Sequence, residues 1–148
     1  PACRPLAAGV RPGAGQCDGR FYAVTPPFGT HKERSMSITH FKNTAHVALQ
    51  TSSPVAVPLG TLVAETSVTC VERTDGVETG IWACTPGRWR RQIVAQEFCH
   101  FIEGRCTFTP DDGEILHIEA GDALMLPANS TGVWDIQQTV RKTYVLIL

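Results

Sequence analysis

The chain has 148 residues, 43% of them hydrophobic, and a formal net charge of −1. That length suits one domain around one core, and the balanced charge excludes a nucleic-acid surface, which would carry a basic excess or stripe. No apolar run reaches the length of a membrane-spanning helix, so neither nucleic acid nor membrane is an expected partner.

Residues 1–35 differ from the rest. Arg4, Arg11, Arg20, Lys32 and Arg34 face only Asp18 and Glu33 there, and Gly and Pro recur without any sustained period, which reads as an extended tail. No apolar stretch of a secretory signal is present in it. Met36-Ser37-Ile38-Thr39 resembles an ordinary protein start, so Pro1–Ser35 reads either as an upstream segment or as a real tail lying along the domain. We therefore divide the chain into an irregular segment 1–46 and a domain 47–148.

Met36–Gln50 is expected to hold one helical turn or an edge strand, and Thr51–Gly60, with Pro54 and Pro58, an irregular connection. From there the pattern is strand, turn, strand. Thr66–Glu72 and Val77–Cys84 flank the hairpin signal Thr74-Asp75-Gly76. Trp89–Val94, Glu97–Ile102, Arg105–Thr109, Glu114–Ile118, Ala123–Leu126, Gly132–Ile136 and Val140–Leu148 follow, separated by Gly-bearing or Pro-bearing turns. About nine short strands without a convincing helix predict an all-β sandwich or barrel, closed so that few edges are exposed.

The six cysteines include no CxxC pair. Cys70, Cys84, Cys99 and Cys106 lie in apolar strand-like segments, where free Cys behaves as a small hydrophobe. We expect reduced thiols and a cytoplasmic protein.

Two stretches carry a resemblance. Glu97 is followed by six residues and then Gly104; Gly121 is followed at the matching spacing by Pro127, with Asn129 in a Gly position and Gly132 in a His position. Gly80-Ile81-Trp82, Thr85-Pro86-Gly87, Glu97-Phe98-Cys99-His100, Gly121-Asp122-Ala123, Gly132-Val133-Trp134 and Arg141-Lys142-Thr143-Tyr144 fall in order around them. Over Pro54–Leu148 the chain resembles the cupin superfamily, and within it the small single-domain bacterial cupins grouped with (S)-ureidoglycine aminohydrolase, many of unknown function. The resemblance implies a double-stranded β-helix, or jelly-roll barrel, enclosing a small-molecule site.

A cupin of the usual kind holds iron, manganese, nickel or zinc on three His and one Glu. Counted back from Glu97, the two early His positions fall near Arg90 and Gln92, and the late one is Gly132. Only Glu97 remains, so no metal ligand set is assigned. A divalent metal would need Cys99, His100 or Gln92 to be recruited beside Glu97.

Strand alternation places Glu97, Cys99 and Phe101 on one face. Glu97 is the candidate catalytic residue, as a general base, or else one half of an internal ion pair with Arg90 or Lys142. Trp134, two residues after Gly132, either fills the space of the missing metal and ligand or is ordinary core; Trp82 reads the same two ways. Lys142 and Tyr144 share a face, turned either to the lumen or to solvent. A thiolate at Cys99 is disfavoured by the neighbouring carboxylate. Together, Trp82, Arg90, Gln92, Cys99, Trp134, Lys142 and Tyr144 form the expected ligand-binding set around Glu97.

Two functions follow from the resemblance. One is a small-molecule-binding bacterial cupin with hydrolase or isomerase activity, of the aminohydrolase kind, on a small nitrogen-containing or carboxylated metabolite. The other is a non-catalytic binding or regulatory cupin that has lost its metal. An open lumen with Glu97 beside a second polar group favours the first; a lumen plugged by Trp82, Phe101 and Trp134 favours the second. A homodimer is expected in either case, because an open sheet edge invites pairing.

Overall fold

A computed structural model describes residues 38–50, 52–72 and 76–147. Pro1–Ser35, Met36 and the Thr74-Asp75 part of the first hairpin lie outside them. All regular structure among the described residues is β: β1 (Ser53–Pro54), β2 (Glu65–Glu72), β3 (Val77–Cys84), β4 (Gly87–Ile93), β5 (Gln96–Pro110), β6 (Leu116–Glu119), β7 (Ala123–Leu126) and β8 (Ser130–Ile147). No helix among them is long and apolar enough to cross a membrane.

The strands run antiparallel in the order β1-β2-β3-β8-β5-β6, with β4 added to β8 and β7 to β5. Two long strands carry the barrel. The first half of β8 pairs with β4 and the second half with β3, while β5 lies along its other side. β3, β4, β6 and β7 each pair with a long strand, while β2 and then β1 extend the sheet beyond β3. Mergers within β5 and β8 remove two of the nine expected strands, and β1, inside the expected irregular connection Thr51–Gly60, adds one.

The merger within β5 has a local cause. The expected turn at Glu103-Gly104 is a bulge inside β5, where the register against β8 shifts between Phe101 and Cys106. Gly104 sits there at φ +82°, a region that only glycine enters freely. Asn129 takes φ +62° in the loop before β8, which Asn tolerates better than other non-glycine residues. It is the residue found in the Gly position of the second motif.

Period-two patterning sorts the faces. Along β4, Gly87, Trp89, Arg91 and Ile93 are buried while Arg88, Arg90 and Gln92 are exposed. Along β8, Trp134, Ile136, Val140, Lys142, Tyr144 and Leu146 point inward. These residues meet Trp82, Cys84, Phe101, Cys106 and Phe108 in one core. Burying such side chains stabilises the fold by about 1.5–3 kcal/mol each for the large apolar ones.

The described residues before β1 form no strand and hold one hydrogen-bonded turn from Asn43 to Val47. Arg141 fastens it: Nε donates to Thr44 O at 2.8 Å, and Nη2 donates to Val47 O.

Cysteine chemistry departs from expectation at one position. Cys84, Cys99 and Cys106 are buried thiols, but Cys70 is disulfide-bonded. Period-two patterning placed Cys70 in a strand and carried no information about a covalent partner. Cys3 and Cys17 lie outside the described residues.

Candidate functional site

The lumen holds a buried ion cluster. Glu97, on β5, is fully buried. Its Oε1 accepts from Lys142 Nζ at 2.6 Å, and its Oε2 from Arg91 Nη2 at 3.2 Å. Lys142 comes from β8 and is also fully buried; the Arg91 side chain, from β4, is 3% exposed. Burial alone would push the Glu97 carboxyl up; the Lys142 ammonium and the Arg91 guanidinium outweigh it and hold its pKa below the ordinary value.

Aromatic rings enclose the ammonium. Lys142 Nζ lies 4.8 Å from the ring centre of Trp82 and 5.8 Å from those of Phe101 and Trp134. Trp82 and Phe101 are the two cross-strand partners of Lys142, so the cage follows directly from register. Cation–π attraction is strongest where the cation is desolvated, as here. Phe108 packs on Trp134 at a 4.6 Å ring separation. Trp82, Phe101 and Trp134 are 2%, 1% and 1% exposed, so aromatic side chains fill the middle of the lumen.

Two expected site residues are corrected. Arg90 and Gln92 face outward, and Trp89 and Arg91 occupy the inward positions. Two-residue alternation runs unbroken from Glu97 back through the Val94-Ala95 connection and puts Arg91 and Trp89 inside; the motif spacing counted back from Glu97 fell one residue out of that phase, which reverses the face. Arg90 binds Asp111 on the surface, Nη1 to Oδ1 at 2.9 Å, where Thr131 also donates to the carboxylate at 2.6 Å. The partners of Glu97 are thus Lys142 and Arg91, not Arg90.

The other expected residues point inward. Trp82, Cys99, Trp134, Lys142 and Tyr144 are buried and in the core or its ion cluster. Tyr144 donates to Glu78 Oε1 at 2.7 Å, and the tyrosine hydroxyl occupies space left by Gly80, 2.9 Å from where a Cβ there would stand. Burial raises the Cys99 thiol above its ordinary pKa, so it stays protonated.

Sequence reasoning missed Arg91, Trp89 and Glu78. The signal was present. Trp89 and Ile93 bracket Arg91 at two-residue spacing, and Glu78 stands in phase with Gly80, Trp82 and Cys84.

The donor set does not fit a transition metal. The inward residues at the early His positions are Trp89 and Arg91, and both oxygens of Glu97 are engaged by fixed cations. At Gly132 a Cβ would lie 2.6 Å from the Phe108 ring and 2.5 Å from Thr109 O, so the Phe108 ring takes the room of the late His. Among the described residues, no three His, Cys, Asp or Glu side chains gather as a ligand set.

Hydrogen-bond matching in the interior is one-sided. The buried polar side-chain atoms without a partner among the described residues are Nε and Nη1 of Arg91 and the indole nitrogens of Trp82, Trp89 and Trp134. All five are donors. A separate surface cleft of about 360 Å³ opens beside Arg105, His117, Glu119 and Gln137, over Cys106 and Ile118; none of the expected site residues lines it.

Comparison with known proteins bears on this arrangement. The sequence model of the EutQ-like cupin domain matches residues 71–144, half of the chain. Similar solved structures include the EutQ protein of Clostridium difficile, at 14% identity over 57% of this chain and 68% of that one, with a TM-score of 0.51. A putative ethanolamine utilization protein of Salmonella typhimurium LT2 aligns at 19% identity over 55% and 68%, with a TM-score of 0.50. A protein of unknown function of the DUF861 family from Pseudomonas syringae pv. tomato aligns at 22% identity over 68% of this chain and 44% of that one, with a TM-score of 0.60. At these identities the likeness is one of fold. No curated protein matches the sequence.

Proposed function

The chain belongs to the EutQ-like cupin family, a small-molecule-binding fold, and on that premise we propose that it binds a small acceptor-rich anion at Arg91, beside its aromatic-filled lumen, without metal and without catalysis. The observation that carries this reading is the excess of unmatched buried donors, two of them, Nε and Nη1, on Arg91 itself. An unmatched buried donor costs about 1–3 kcal/mol. A carboxylate offers acceptor sites on two oxygens, and its bonds to a guanidinium are charge-assisted. Glu97 does not meet this need, since its own oxygens are held by Lys142 and Arg91.

The same contacts count against Glu97 as a general base. A base needs an accessible lone pair and a pKa near the working pH, whereas this carboxylate is fully buried and held below its ordinary pKa. The resemblance to the (S)-ureidoglycine aminohydrolase-like group supports the class of guest, a small nitrogen-containing or carboxylated metabolite, rather than a metal-borne reaction. The three buried thiols support a cytoplasmic setting; the Cys70 disulfide stands against it, and alkylation mass spectrometry of freshly lysed cells distinguishes the two.

The test is a thermal-shift panel of small carboxylates and inorganic oxyanions, run with chelator present. A ligand at 100 times its Kd raises stability by about 2.7 kcal/mol. The expected result is a saturable shift with a carboxylate that disappears in Arg91→Met. A flat response across the panel, or an equal shift in Arg91→Met with its fold intact, would overturn the proposal; turnover dependent on added metal would restore the enzymatic reading.

A further inference from the structure

A bulge in β8 sits beside the surface cleft. Between Arg105 and Cys106 on β5 the register against β8 moves from Gln138 to Ile136, which leaves Gln137 as an extra residue. Alternation fails there, with Gln137, Gln138 and Thr139 all exposed between the buried Ile136 and Val140. Bulges re-aim side chains and increase the local twist, and Gln137 lines the cleft of about 360 Å³. That volume falls at the lower end of the range for small-molecule pockets, about 300–1,000 Å³.

The charged groups of the cleft are not paired with each other. Arg105 and Glu119 are direct register partners on β5 and β6, an arrangement in which opposite charges attract across the strands. Among the described residues, however, no ion pair or side-chain hydrogen bond engages either of them, nor His117 or Gln137. The cleft lies between them instead.

From this arrangement we propose that the cleft binds a free α-amino acid as its zwitterion, with the ligand carboxylate on the Arg105 guanidinium and its ammonium on the Glu119 carboxylate. A guanidinium holds a carboxylate by two parallel charge-assisted bonds, and an ammonium donates to a carboxylate in the same way. A simple anion would meet Glu119 and a simple cation Arg105, whereas a zwitterion complements both. The Thr107 hydroxyl and the Gln137 amide, which line the same cleft, offer neutral donors and acceptors to the ligand side chain. Arg91 does not line it, so this site is independent of the one proposed above.

The experiment is a proton–nitrogen correlation NMR titration of the full chain with each common L-α-amino acid, and with acetate and methylammonium as single-charge controls. The expected result is a saturable shift with at least one amino acid and with neither control, centred on the amides of Arg105, Thr107, His117 and Glu119. Arg105→Gln and Glu119→Gln each remove a charge at an exposed position, so either change is compatible with folding, and each should weaken that binding about tenfold or more through loss of a charge-assisted contact. If one variant fails to fold, the other decides. No saturable response to any amino acid overturns the proposal, as does an equal response to acetate or methylammonium, or binding that survives the folded variants. A response centred on the amides around Arg91 also overturns it, while leaving the lumen-side reading in place.

Discussion

The Lys142 ammonium stands 2.6 Å from Oε1 of Glu97 although the two residues are not register partners: Glu97 lies opposite Leu146, and Lys142 opposite Phe101. The long lysine stem spans the offset, and the rings of Trp82 and Phe101 flank the path. Arg91 reaches the same carboxylate from a third strand. One carboxylate therefore joins β4, β5 and β8 from inside the barrel.

Breaking that junction should cost heavily. Lys142→Ala removes one partner of a buried pair and leaves a carboxylate short of charge, a loss of about 3–5 kcal/mol. The vacated cage keeps the Glu97 oxygen and three rings, so ethylammonium or propylammonium should raise the melting temperature of Lys142→Ala and leave the wild type unmoved. Differential scanning fluorimetry reads this directly. No rescue in a folded variant would mean that the cage collapses on the gap.

Acid should loosen the same cluster. The Glu97 pKa in the folded chain lies below its ordinary value of 4.5, so its stabilising contribution is complete above that value and is lost as pH falls through the folded pKa. Asp111, lowered by the hydrogen bond from Arg90, titrates in the same direction on the surface, so Asp111→Asn is the proper background. In that background, urea denaturation should show stability falling below about pH 4.5, and a further Glu97→Gln/Lys142→Met pair should flatten the slope. An unchanged slope would show that other carboxylates govern acid unfolding.

Much of this fold could be read from the sequence, and each misreading has its own origin. Val77–Cys84 and Ala123–Leu126 match β3 and β7 because turn residues bound them on both sides. Glu103-Gly104 was equally turn-like, yet a bulge and a turn both use a glycine at positive φ, and only the long-range pairing with β8 tells them apart. Glu97, Lys142, Cys99 and the tryptophans were placeable by two-residue alternation within their own strands. Arg90 and Gln92 were placed by a motif spacing counted back from Glu97, although strict alternation from Glu97 through Val94-Ala95 leads to Arg91 and Trp89. The cage around Lys142 depends on cross-strand register, which one strand does not encode by itself.

Restoring a histidine should fail. Gly132→His drives a Cβ into the Phe108 ring and the Thr109 carbonyl, and overpacking of this kind costs about 1–3 kcal/mol. The variant should melt lower and bind Ni, Zn, Mn or Fe no better than the wild type by elemental analysis. Wild-type protein should likewise carry well under one such metal per chain, and chelator should leave its melting temperature unchanged. One metal per chain, lost on Glu97→Ala, would contradict the ion-cluster assignment.

The core thiols should be silent in the folded protein. Cys84, Cys99 and Cys106 are each fully buried, and burial pushes Cys106 up to about 12. Alkylation at pH 8 should modify them only on unfolding, with labelling rates that track the global opening equilibrium. Rapid native labelling of Cys99 would reveal solvent entry beside Glu97.

A cation built into the chain differs from a captured one in its supply. Lys142 and Arg91 are translated in fixed ratio with Glu97, so the charge at the heart of this barrel is set at the ribosome. It is indifferent to which metals the cell imports, cannot be exchanged for a competing ion, and offers peroxide no redox centre to attack.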